Sequence, residues 1–240
     1  MREVGYMNDI RSIREETGLS RKAFSDKYQI PLRTMEEWEA GRRKPPEYVS
    51  RMLKYYVSIK QWNEQRDEKI NIVEDAIGHK IVIVNDIRFK GKRNINWKEV
   101  EQYLKEYIGD CYEVVETADQ IFISSDFPGE LKGSKDTRRL FGANAKAKAN
   151  ATQGIPMLLQ CATNRRWQEN YKGKHNVDAK YGWYRFTTRF ALPVYESNTG
   201  ELERFNIFRI EMLIRHAADG NLYLYDMVNI KKETSTPLEQ

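Results

Sequence analysis

Apolar residues in the first sixty positions recur at helical spacing. Ala23, Phe24 and Tyr28 fall on one side of a short helix that Ser20 is placed to cap and that Ile30-Pro31 ends. A second helix is predicted from Pro31, with Met35 and Trp38 three apart on its inner side. Leu32, Arg33 and Glu36 or Glu37 then project outward, and Gly41 sits in the usual C-cap position. Pro45-Pro46 opens a third helix that carries Val49, Met52, Leu53 and Tyr56 on one side and fades into the charged stretch QWNEQRDEK, so residues 61–78 read as a linker.

Beyond that stretch the period changes. KIVIVNDI reads as a buried strand, NWKEVEQYLKEYI as an amphipathic helix, and CYEVVE and QIFISS as two more strands. Helical signals run over 134–163, including ANAKAKANA and a new start at Ile155-Pro156. Three strands close the chain, 181–194, 204–216 and 222–230, the last two joined at Asp219-Gly220. The predicted class is α+β: an all-α helix-turn-helix domain over 1–60, then an α+β domain over 79–240 with a mainly antiparallel sheet.

Alternation assigns two faces to those last strands. Tyr184, Phe186, Phe190, Leu192, Val194, Phe208, Ile210, Met212, Ile214, Leu222, Leu224, Val228 and Ile230 form the core face. Opposite them stand Tyr181, Trp183, Arg185, Thr187 and Arg189, then Arg209, Glu211 and Arg215, then Tyr223, Tyr225 and Asn229. Arginines interleaved with aromatics suit base stacking and phosphate clamping. An ordinary solvated antiparallel face is the competing reading.

Charge sharpens the picture. The 240 residues carry a net charge of only +5, yet 132–189 hold 13 basic side chains against 3 acidic ones. Such a stretch attracts phosphate backbones, and Lys146, Lys148, Arg165 and Arg166 within it are candidate nucleic-acid contacts, beside Tyr181, Trp183 and Tyr225 on the open face. A small apolar ligand pocket does not fit this charge. Cys111 and Cys161 read as reduced core thiols of a cytoplasmic protein. No zinc spacing, membrane span or signal-peptide core is evident, and neither a metal nor a cofactor is expected.

Metal-independent RNA cleavage needs a base for the 2′-hydroxyl, an acid for the leaving oxygen and cations for the phosphoryl charge. His175, in HNVDAKYGWYRF ahead of the open face, and Glu211 can supply the proton transfers. Arg185, Arg189, Arg209 and Lys180 can hold the phosphate, with Tyr184 or Tyr225 orienting it. Alternatively His175 is a loop residue and Glu211 a salt-bridge partner of Arg209. His216 reads as structural, and His79 as part of no constellation.

The segment RTMEEWEAGRRKPP resembles the Cro/C1 repressor-type helix-turn-helix family in its RTxExWExGxRxPP form, over roughly residues 8–60. The resemblance implies Leu32, Arg33 and Glu37 as base-reading residues and Arg42, Arg43 and Lys44 as phosphate contacts. It also implies a DNA operator and a homodimer, although a helical adaptor for partner docking remains open.

Residues 79–240 resemble a large polyvalent protein-associated family of phages and mobile elements. The motifs are VNDIRFKGKRNINWKEVEQYL, SSDFPGELKGSKDTRRLFGANAKAKANA, KHNVDAKYGWYRFTTRFALPVY and DGNLYLYDMVNIKKETSTPL. The layout is similar to the barnase, EndoU, colicin and RelE group of ribonucleases. That likeness would give His175 and the arginines their acid-base and phosphate roles and bring Thr234 or Thr236 near the site. Two function classes follow: an endoribonuclease addressed by its own DNA-binding domain, or a non-catalytic inhibitor resembling helix-turn-helix anti-CRISPR proteins, with RNA or a nucleoprotein such as Cas9 as partner. A plain transcriptional repressor is the third.

Overall fold

The computed structural model describes residues 9–64, 69–75, 78–91, 94–170 and 179–233, with the side chains of 9, 55 and 58–64 left aside. These residues fall into two compact units, a helical one over 9–64 and an α+β one over 69–233.

The helical unit holds α1 (Asp9–Glu16), α2 (Arg21–Tyr28), α3 (Leu32–Glu39) and α4 (Glu47–Glu64). The Ser20 hydroxyl accepts from the Ala23 N–H at 3.2 Å, capping α2 as expected. Gln29 turns left-handed, with φ 53°, and the chain re-enters a helix after Pro31, so three residues separate α2 from α3. Ile10, Ile13, Phe24, Met35, Trp38, Leu53 and Val57 form its core.

Ala23, expected inside, is exposed, and Ser25 is buried in its stead. The Ser25 hydroxyl donates to the Ile30 carbonyl, so a polar side chain staples the turn from within. Met52 and Tyr56, expected to share the inner side of α4 with Val49 and Leu53, are exposed. The charged segment is also shorter than read. Residues 61–64 continue α4, and Ile70 already begins a strand.

Glu39, in the last turn of α3, has a fully buried side chain and meets Arg14 of α1 at 2.7 Å and Arg21 of α2 at 2.9 Å. Burial alone would raise its carboxyl. Hydrogen bonds and charge from Arg14 and Arg21 outweigh burial and hold it below the ordinary carboxylate range.

In the second unit a hairpin of β1 (Ile70–Glu74) and β2 (Lys80–Val84) leads to α5 (Trp97–Leu104), capped by Asn96, and to the hairpin β3 (Cys111–Val114) and β4 (Asp119–Phe122). Four helices follow: α6 (Phe127–Gly133), α7 (Lys135–Arg139), α8 (Gly142–Ala151) and α9 (Ile155–Gln160). Then come β5 (Thr163–Gln168), β6 (Trp183–Tyr195), β7 (Leu202–His216) and β8 (Leu222–Lys232). The fold is α+β, and the sheet runs β1-β2-β6-β7-β8-β4-β3, with β5 pairing the first half of β6. Its pairings are antiparallel except β2 with β6 and β4 with β8.

Neither α6 nor β5 was expected. The first is written FPGELKG, with glycine and proline where helix formers are usual, and the second, TNRRWQ, is exposed at every position and has no period to read. Cys161 is buried, but Cys111 lies exposed on the edge strand β3 rather than in the core.

The alanines of α8 let it pass close to the sheet, which places Lys148 where no water reaches it. Lys148 has no exposed side-chain surface, and its ammonium donates to Asp226 at 2.8 Å and Asp136 at 3.1 Å. It therefore does not present itself to a nucleic acid, contrary to the expectation from charge alone. Its partners lie 12 and 78 residues away in the chain, which hides the pairing from any local reading.

Two outcomes follow. Lys148→Ala leaves Asp226 a buried unpaired carboxyl, and thermal and urea unfolding should show a loss of about 3–5 kcal/mol; Lys148→Met with Asp226→Leu should recover most of it. Because the Glu39 carboxyl is depressed in the folded state, its contribution is present above the ordinary value of 4.5 and lost as pH falls through its lower folded value. Unfolding of the full chain followed by circular dichroism against pH should show that acid loss, and Glu39→Gln should lower stability by roughly 3 kcal/mol at neutral pH and flatten the acid dependence.

Candidate nucleic-acid interface

On α3 the inner positions are taken by Met35, Trp38 and Glu39, which leaves the opposite side outward. Leu32 and Arg33 are exposed, the Arg33 side chain to 90%, while Glu36 and Glu37 are half-buried. Glu37 lies 3.5 Å from Arg33, one helical turn away, so the pair is a weak surface contact that a stronger anion can displace. Gly41 is left-handed, with φ 70°, and turns the chain so that Arg42, Arg43 and Lys44 follow α3 fully exposed. The N–H groups of Arg42 and Arg43 both donate to the Glu37 carbonyl, at 3.0 and 3.3 Å, which fixes the basic loop against the helix end.

In the α+β unit the outer face of β6 and β7 is organised around two carboxylate centres. Glu211 accepts from Arg166, from Arg185 at 3.1 Å and from the Asn229 side chain at 2.8 Å, and its contact with Arg166 is 2.5 Å. Burial would raise its carboxyl, but those three partners overrule burial and hold it below the ordinary range. Asn229 reaches it because β8 bulges there, with Asn229 left-handed at φ 56°. Its backbone N–H donates to Asp136 at 3.3 Å.

The second centre surrounds Arg189. Its guanidinium meets Asp75 at 3.0 Å and Glu233 at 3.0 Å, and its Nη1 lies 2.7 Å from His79 Nδ1. The same Nδ1 lies 3.3 Å from Asp75 Oδ2. His79 is therefore part of a cluster, contrary to expectation, and Asp75 and Glu233 are members that no local spacing announces. Arg209 stands opposite Arg189 across the strands, exposed and with no ion pair among the described residues.

No family model matches the chain, and no curated protein or solved structure matches it. His175, Thr234 and Thr236 lie outside the described residues. Glu211 bonds to Arg166 and Arg185 rather than to Arg209. Trp183 and Tyr225 meet edge-to-face at 4.9 Å. Arg215, expected on the open face, is buried against Glu130, Ser124 and the Tyr223 ring. Lys146 is half-buried. A cavity of about 540 Å³ beside Tyr225 is lined by Glu101, Lys105, Asp126 and Glu130.

Tyr181 departs from its expected place. Gly182 is left-handed, with φ 91°, so the alternation of β6 begins only at Trp183, and the Tyr181 ring lies 5.0 Å from that of His216. His216 also approaches Tyr184, at 5.9 Å. Tyr181 therefore joins the side of the sheet that Tyr184 faces. Arg165 lies over Tyr184 at 4.1 Å and is held there by Asp119 at 3.3 Å, while Lys180 lies 5.3 Å from the Tyr181 ring.

Among the described residues no group of His, Cys, Asp and Glu has the arrangement of a metal site, and no helix is long and apolar enough to cross a membrane. The depressed Glu211 carboxyl should titrate below 4.5 in a carbon-detected NMR pH series on the full chain, and Asn229→Ala should move its midpoint upward. A Glu211 midpoint near neutrality would overturn its assignment as a permanently ionised anchor.

Proposed function

We propose that this chain is a DNA-binding regulator whose second unit binds RNA. The observation that carries the reading is the outward side of α3, where Leu32 and Arg33 are exposed and Glu37 lies half-buried beside Arg33, directly before the exposed run Arg42, Arg43 and Lys44. That is the division of labour of a helix-turn-helix, with side chains for base edges on the helix and cations for the flanking phosphates. The likeness of this segment to repressor-type helix-turn-helix proteins supports the same conclusion.

For the second unit, the arginine lattice on β5, β6 and β7 supports phosphate holding. Arg166 and Arg185 are pre-positioned on one carboxylate, and Arg209 is unengaged beside them. The ties on Glu211 favour an anchor over a proton carrier, so binding is the primary reading and cleavage would need a group such as His175.

Selection of operators from a random duplex pool should yield a defined sequence. Arg33→Ala should change that preference, whereas Arg42→Ala and Arg43→Ala should weaken binding to every sequence and lower the salt slope by about one each. Uniform weakening by Arg33→Ala would remove its base-reading role. For the second unit, incubation with total RNA in EDTA should give tight, salt-sensitive binding with intact RNA. Cleavage abolished by His175→Ala would replace the binding reading with a metal-independent endoribonuclease.

A further inference from the structure

Trp167 is the least expected side chain of the second unit. It lies on β5, 57% exposed, while its indole N–H donates to the Tyr181 carbonyl at 3.1 Å. A surface tryptophan ordinarily buries its ring and shows its N–H to water. Here the polar handle is tied down and the apolar ring is left out. The indole is also held from below: a Cβ on Gly182 would stand 2.8 Å from Trp167 Nε1, so only glycine permits the seat. Tyr184 is its partner across the strands, and Tyr181, 46% exposed, is the next ring.

The surroundings say what the rings are for. Lys180 is exposed beside Tyr181 with no ion pair among the described residues, and Arg165 covers Tyr184. An apolar protein partner would gain nothing from these cations. A single-stranded polynucleotide supplies both a phosphate charge and flat bases, which stack on aromatic rings without regard to sequence.

We propose that Trp167 and Tyr181 form a preorganised stacking platform for single-stranded RNA, with Lys180 beside it to take the phosphates. The platform lies on the opposite side of the β5–β6 hairpin from the Glu211 lattice, so one RNA strand can wrap the hairpin edge and use both. The inference rests on the RNA-binding reading of this unit and gives it a location.

The test measures anisotropy of a labelled oligouridine of about ten nucleotides on the full chain, with far-UV circular dichroism confirming each fold. Trp167→Ala should weaken binding roughly tenfold, and Trp167→Phe, which keeps a ring but loses the N–H bond, should retain most of the affinity. Lys180→Glu should weaken binding and reduce its salt dependence. Tight wild-type binding that is indifferent to Trp167→Ala but lost in Arg166→Ala with Arg185→Ala would overturn the platform and leave the RNA reading standing. No binding by the wild-type chain would remove both.

Discussion

The second unit is organised by one hydrogen-bonding edge that serves two masters. Along one side of β6 the first residues pair with β5 and the later ones with β2, while the whole opposite side pairs with β7. A strand of this length cannot be covered by helices throughout. From Phe186 to Leu192 its inner side chains are buried, whereas Tyr184 is only partly so and Tyr181 is exposed. The exchange of β5 for β2 along that edge therefore also marks the boundary between a core built for stability and a hairpin whose two sides are both available. Aromatic and cationic side chains gather at the available end.

Electrostatics then separates the two sides of that hairpin. On the lattice side Arg166, Arg185 and Arg189 are neutralised in place by Glu211, Asp75 and Glu233, so their positions are fixed at the expense of net field, and Arg209 alone of the four has no ion pair among the described residues. On the ring side the cations are fewer, and Lys180 has no ion pair among the described residues. A polyanion approaching the first must compete with carboxylates, while approaching the second it meets rings and an open charge. Geometry is supplied by one side and attraction by the other.

Much of this was legible in the chain. The helices α2 and α3 follow from Ser20, Pro31, Met35, Trp38 and Gly41 because capping, turning and a short amphipathic period are all local. The three long strands follow from alternation, except that the bulge in β8 sets Met227 rather than Val228 in the core cluster and pairs Val228 with Glu211. What escaped was set by distant partners or by broken periods. Lys148 looks like a surface cation until Asp226 is brought to it, and His79 looks idle until Arg189 arrives from another strand. Glu39 reads as one more acid beside Glu36 and Glu37 until three helices enclose it. Gly182 resets the alternation of β6 by one backbone angle, which moves Tyr181 to the other side. Trp167 sits in a strand with no apolar pattern at all, so only its seat on Gly182 reveals it.

Asn229 belongs to both halves of that account. Its side chain holds Glu211 on the outer lattice, and its backbone N–H holds Asp136, which shares Lys148 with Asp226 in the interior. A single bulged residue thus rivets the outer arginines to the most deeply buried charge of the unit. The outer surface cannot drift to suit a new partner without disturbing the centre of the fold, and diversification of this face is coupled to the survival of the core beneath it.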